Sequence, residues 1–225
     1  MGRTVWIGLV CCGILTGHGY AFAISPGFVE TFASGLGGWQ KGQVNPTYLS
    51  TVSAGGPAGA GDAYMQSVAD GGGSFGKLTV FNAQEWSTDF LADGVTGIRM
   101  DLLNDGATPL AIRIGLRDGG GAGYISATPF SLPAGSGWQT AAFPISEAGM
   151  TAVGSPGSFT SFLAAGGFQF RILNASGTSS LNGDTVVSTL GIDNITAVPE
   201  PSCLLLVSSL AALGLRARSV ARGRR

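Results

Sequence analysis

The chain has 225 residues, a formal net charge of −1, 38 glycines and only 11% charged side chains. Its three cysteines (Cys11, Cys12, Cys203) and single histidine (His18) all lie in the terminal segments, so the interior has no disulfide, no Cys/His zinc site and no cysteine- or histidine-based nucleophile. Between residues 24 and 198, six basic side chains meet twelve acidic ones, a net charge of about −6 that argues against a nucleic-acid partner.

The N-terminus reads as an export signal. Arg3 supplies a positive start, Val5 to Leu15 form an 11-residue apolar core, and Ala21-Phe22-Ala23 presents small residues at the two positions a signal peptidase reads. Residues 1–23 are expected to be removed after Ala23. The apolar core is short for the alternative, a retained membrane anchor. The residues before Cys11 and Cys12 lack the small side chains expected upstream of a lipidated cysteine.

The body, residues 24–197, carries strand signals almost throughout. Short apolar and β-branched runs are punctuated by Gly, Ser, Thr, Asn and Asp. Strands are predicted over 28–32, 63–67, 78–82, 124–126, 139–144 and 190–198. Three further runs alternate with a period of two. Ile98, Met100 and Leu102 alternate with Arg99, Asp101 and Leu103; Ile112, Ile114 and Leu116 alternate with Arg113, Gly115 and Arg117; Phe168, Phe170 and Ile172 alternate with Gln169, Arg171 and Leu173. Asn104-Asp105-Gly106 between the first two predicts a hairpin. Residues 147–150 are expected to hold one helical turn. Eight or nine strands in one domain predict an all-β fold, a two-sheet antiparallel sandwich of jelly-roll type.

Phe28-Val29-Glu30-Thr31-Phe32 followed by Gly37-Gly38-Trp39, then Gly61-Asp62-Ala63-Tyr64-Met65, then Gly191-Ile192-Asp193-Asn194-Ile195, resembles the opening, next and closing strands of galactose-binding-like jelly rolls, which include many carbohydrate-binding modules. The resemblance implies a structural Ca²⁺ where acids of the first and last strands meet. Its ligands here would be Glu30, Asp193 and Asp62, completed by carbonyls of the loop 54–62; Ca²⁺ takes six to eight oxygens. The other reading of these acids is solvation at strand ends or acceptance of turn N–H groups.

The polar faces of the alternating runs suggest a ligand surface of Arg99, Asp101, Arg113, Arg117, Gln169 and Arg171. Trp86, Tyr124 and Trp138 would add stacking planes for a sugar ring, while Trp39 reads as core. Cross-strand ion pairs and edge-plugging tryptophans are the other reading. Most of the twelve acids neighbour turn residues, and no spacing marks a catalytic pair; a glycosidase built on paired carboxylates is the third-ranked function.

Residues 198–225 form an address segment. Pro199-Glu200-Pro201 is followed by the apolar run Cys203 to Leu215 and then by Arg216, Arg218, Arg222, Arg224 and Arg225. Thirteen residues make about 20 Å of helix against about 30 Å of hydrocarbon, a deficit that snorkelling arginines relieve. This order resembles the PEP-CTERM sorting signal of Gram-negative bacteria. The resemblance implies a transient inner-membrane tether with the arginines inside, handled by an exosortase, and final placement at the cell surface or in an exopolysaccharide matrix. The sequence thus predicts an exported, non-catalytic matrix or surface protein that binds glycan, with a purely structural or adhesive subunit as the alternative.

Overall fold

Alternating side chains in the longest strands decide the architecture. The computed structural model describes residues 24–42 and 45–199; the predicted signal segment 1–23 and the tail residues Glu200, Pro201, Arg216, Arg218, Arg222, Arg224 and Arg225 lie outside them. In chain order the strands are β1 (Val29–Glu30), β2 (Trp39–Gln40), β3 (Leu49–Val52), β4 (Tyr64–Asp70), β5 (Thr79–Asn82), β6 (Val95–Asn104) and β7 (Leu110–Arg117). There follow β8 (Gly123–Ser126), β9 (Phe130–Leu132), β10 (Ser136–Pro144), β11 (Met150–Val153), the helix α1 (Phe159–Ala165), β12 (Gln169–Asn174) and β13 (Val187–Pro199).

The strands form two antiparallel sheets. The first has the order β10-β6-β13-β4-β3, with β1 also on β13; the second has β11-β8-β7-β12-β5-β2, with β9 on β7. This is the jelly-roll-type sandwich the sequence predicts. Ile98, Met100 and Leu102 of β6 and Leu190 and Ile192 of β13 face Ile112, Ile114 and Leu116 of β7 and Phe170 and Ile172 of β12, all at most 2% exposed. Trp86 stacks on Phe170 at 5.0 Å and anchors the aromatic end of this core.

The predicted hairpin at Asn104-Asp105-Gly106 is not one. β6 belongs to the first sheet and β7 to the second, so the turn carries the chain across the sandwich. Asn104 is fully buried and holds this crossing together. Its Oδ1 accepts from Gly106 N–H at 3.0 Å and the Ser188 hydroxyl at 2.9 Å, while its Nδ2 donates to the carbonyls of Thr108 and Pro133 at 2.9 and 3.0 Å. Of the residues 147–150, the first three make a turn rather than a helix and Met150 begins β11. The one α-helix described is α1, started by Ser158, whose Oγ accepts from Ser161 N–H at 3.2 Å, and held down by buried Phe162 and Leu163.

β13 is flanked in two instalments. β4 pairs with its first half, ending at Ile192↔Met65, and β1 pairs with its second half, Glu30↔Ile195 and Val29↔Thr196. Between them the register with β6 shifts, and Asn194 takes φ 51°, the only positive φ of a non-glycine residue among those described. Asp193 therefore sits at the joint where one neighbour ends and the other begins.

The second sheet is covered on its outer face. The segment 175–186 lies across it, packing Leu181 and Ala175 on Ile125 and Leu173. Replacing Asn104 with Ala removes one side chain from five backbone and hydroxyl partners, the four above and Leu132 O at 3.3 Å. The expected loss is about 2–4 kcal/mol in urea unfolding, with an unchanged denaturant slope.

Candidate functional site

The predicted polar face is divided between opposite sides of the molecule. Alternation correctly turns Arg99 and Asp101 away from the core, but they lie on the outer face of the first sheet, whereas Arg113, Arg117, Gln169 and Arg171 lie on the second. Two of these arginines hold the covering segment through backbone carbonyls. Arg113, 4% exposed, donates from Nε to Ala175 O at 2.9 Å and from Nη1 to Ser126 O at 2.5 Å and Ala127 O at 2.9 Å. Arg171, 8% exposed, donates from Nη1 to Leu181 O at 2.8 Å. Both fix the covering segment to the sheet. Arg117 stands at the outer rim, against Gly121.

The predicted aromatic planes also separate. Trp86 is fully buried and Tyr124 6% exposed, its hydroxyl donating to Gly157 O at 2.7 Å; both belong to the core. Trp138 alone reaches an open face. Its indole N–H donates to Gly55 O at 2.9 Å and its ring meets Tyr64 edge-on at 5.2 Å. Beneath both rings is Gly191 of β13: a Cβ there would come within 3.0 Å of Trp138 and 3.2 Å of Tyr64. The absent side chain lets the edges of both rings come close to the sheet backbone.

Around this pair, register places a polar field. Asp101 lies opposite Thr140 and accepts its hydroxyl at 2.6 Å, and accepts from Asn194 Nδ2 at 2.9 Å. Arg99 is exposed on the same face two residues earlier, and Gln66 lies two residues past Tyr64, across from Gly191. Tyr64, Gln66 and Gly191 were not singled out by the sequence reading as ligand-face residues. Tyr64 and Gln66 alternate within the strand predicted over 63–67, which was the available signal. A separate cleft of about 370 Å³ at the sandwich edge, beside Phe130, Phe143 and Pro144, is lined by no titratable side chain.

The acids assigned to Ca²⁺ do not assemble. Glu30 is 8% exposed and its Oε2 accepts from two indoles, Trp39 Nε1 at 2.8 Å and Trp86 Nε1 at 2.5 Å. It ties β1 in the first sheet to β2 in the second. Asp62 accepts Ala58 N–H at 2.7 Å within its own loop. Among the described residues no group of three or more metal-ligating side chains stands close enough to hold an ion. Asp193 differs: it is fully buried and neither carboxyl oxygen has a hydrogen-bond partner, Asn194 N–H leaning toward it without reaching hydrogen-bond geometry. Of the three, Asp193 is the one whose two carboxyl oxygens are left without a partner.

Burial pushes the Glu30 carboxyl up to about 7 against the two indole bonds, with Glu85 adding like charge. Burial likewise pushes Asp193 up to about 6, helped by the charges of Asp62 and Asp101.

No protein-family model matches the chain, and no curated protein matches it in sequence. Among solved structures, the family 11 carbohydrate-binding module from Clostridium thermocellum in complex with a β-1,3-1,4-mixed-linked tetrasaccharide superposes with a TM-score of 0.44 at 14% identity, covering 78% of this chain and 97% of that one. The solution structure of a family 11 module gives 0.49 at 14% identity, over 77% and 96%. An exo-β-agarase gives 0.47 at 14% identity over 71% of this chain, which spans only 24% of that enzyme. At these values the likeness carries no inference about a ligand, and the fold rests on the strand pairing above.

Both carboxyls bind protons more tightly in the folded chain than in an unfolded one. The stability this contributes is complete below about pH 4 and is lost as pH rises through about 6 for Asp193 and about 7 for Glu30. With divalent cations chelated, the melting temperature is expected to fall between pH 5 and pH 8. In Asp193→Asn that fall should be shallower; calorimetric scans at matched ionic strength read the difference.

Proposed function

We propose that the domain is a non-catalytic glycan-binding module whose ligand lies on the outer face of the first sheet. The observation that carries this is Trp138, half-buried on the outer face above Gly191 and braced edge-on by the buried Tyr64. One indole ring is displayed on a β-sheet face, bordered by Asp101, Thr140, Arg99 and Gln66. Sugar rings present apolar C–H faces and polar hydroxyl rims, and this surface offers stacking for the first and hydrogen-bonding groups for the second.

The acids support a non-catalytic reading because so many have local structural partners. Asp70 accepts from Gly72 N–H, Asp89 from Leu91 and Ala92 N–H, Asp118 from Ala122 N–H and Asp184 from Ser176 N–H. These are turn bonds and leave the carboxylates dispersed. A bound Ca²⁺ enters this reading only against Asp193, whose partnerless oxygens support it. It would supply charge neutralisation there and remove that residue's share of the pH dependence.

Export, exosortase handling and a surface or matrix destination belong to the same proposal, supported by the order of residues in 1–23 and 198–225. Deletion of 199–225 is expected to abolish surface placement in the native host. Unchanged fractionation would remove the sorting role without touching the binding face.

The binding face is tested by affinity electrophoresis of the full-length chain through neutral polysaccharides, mixed-linked β-glucan and agarose among them. Retardation by at least one is expected, weakened roughly tenfold or more in Trp138→Ala with the melting temperature preserved. Equal retardation of variant and parent, or none with any polysaccharide, would overturn the reading.

A further inference from the structure

Three of the six basic residues between 24 and 198 line one recess, Lys41 with its ammonium turned to Ser67 of β4. Lys41, Lys77 and Arg171 line a cavity of about 300 Å³ together with Thr79, Phe81 and Asn182. Strand order brings them there. β2, β5 and β12 are consecutive in the second sheet, with Gln40 opposite Phe81 and Phe81 opposite Arg171. Lys41 follows β2 directly, Lys77 precedes β5 and pairs with Thr185, and Asn182 comes from the covering segment.

Two of the three cations are enclosed. Lys41 is 5% exposed and Arg171 8%. Their hydrogen bonds all go to neutral acceptors: Lys41 Nζ to Ser67 Oγ at 3.2 Å, and Arg171 to Leu181 O at 2.8 Å, to Asn182 Oδ1 at 3.4 Å and, through Nη2, to Gln169 Oε1 at 2.6 Å. No carboxylate lines the cavity. Asp70 and Asp184, whose charges reach Lys41 and Lys77, are turned to their own loops. Asp70 accepts from Tyr48 OH at 2.8 Å and Gly72 N–H at 3.0 Å, and Asp184 from the N–H and hydroxyl of Ser176, both at 2.7 Å.

Buried charges in folded proteins are ordinarily paired. Here burial lowers Lys41 to about 8 although the Asp70 charge opposes it, and burial with the neighbouring Arg117 charge lowers Arg171 to about 10; neither makes a hydrogen bond to a carboxylate. In a body with twice as many acids as bases, this is a local concentration of positive potential. The rest of the wall suits a hydroxylated ligand. Thr79 and Asn182 offer a hydroxyl and an amide, and the Phe81 ring, with the Arg171 guanidinium 5.4 Å from its centroid, supplies an apolar side.

We propose that this recess binds the oxyanion of an acidic sugar, either a uronate carboxylate or a sulfate ester. The site lies on the second sheet, away from Trp138, and does not depend on the neutral face proposed above.

The test titrates the full-length chain by calorimetry with oligogalacturonate, with a sulfated galactan oligosaccharide, with a neutral galactan of equal length and with inorganic sulfate. Saturable binding to at least one acidic oligosaccharide is expected, and which one binds distinguishes carboxylate from sulfate. Affinity should fall as salt rises and drop about tenfold or more in Lys77→Glu. Lys77 is exposed, so this variant should keep the parent melting temperature. Lys41→Met, an apolar replacement for a buried stem, should show the same loss. Trp138→Ala should bind the acidic sugar as the parent does, so failure of the sheet-face reading leaves this result untouched. Binding of inorganic sulfate alone, unchanged affinity in both lysine variants, or no binding to any acidic oligosaccharide would overturn the proposal.

Discussion

The contact of the Trp138 indole with the bare backbone of Gly191 organises the exposed half of the molecule. β13 lies between β6 and β4, and its alternation sends Leu190 and Ile192 inward and Gly191 and Asp193 outward. A side chain at Gly191 would lift Trp138 from the sheet and part it from Tyr64. The indole N–H then fastens Gly55, so the loop before β4 is drawn over the same face. One missing Cβ thereby sets the aromatic platform and the course of the loop beside it.

The interior has a polar counterpart in Glu30. A carboxylate among aromatic rings is costly unless hydrogen bonds satisfy it. Two indole N–H groups do so from the other side of the sandwich, with Trp39 in β2 and Trp86 just after β5. A Cβ on Gly37 would collide with Glu30 Oε1, so the glycine turn before β2 is shaped around the acid. The acid that the resemblance offers to a metal is thus engaged in the packing of the core through Oε2, which accepts both indole bonds.

Period-two alternation was legible from sequence because it depends only on which residues must be buried. β6, β7 and β12 were found from it, as were the inward faces of each, while β13 was found only as a strand candidate over 190–198. Alternation does not say which sheet a strand joins. Arg99 and Arg113 look equivalent along the chain, yet one lies on the open sheet and the other is locked under segment 175–186 by carbonyl acceptors. The Asn104-Asp105-Gly106 turn has the same local chemistry whether it closes a hairpin or crosses the core; the distinction lies in contacts with Ser188 and Pro133, far away in sequence. β3, β9 and β11 are only three or four residues long and rich in Ser, Thr and Ala, too short for a period to register. Trp86 and Trp138 were indistinguishable by type, and tertiary burial alone separates a core anchor from a surface platform.

The central claim is that the functional face is the outer surface of the first sheet, centred on Trp138 and Gly191. Chemical-shift mapping during titration with a neutral oligosaccharide cut from whichever polysaccharide retards the chain tests it most directly. The account predicts perturbations concentrated at the Trp138 indole N–H and the amides of Asp101, Thr140, Gly191 and Gln66. Perturbations confined to the second sheet around Arg113 and Leu181, or scattered without saturation, would contradict it.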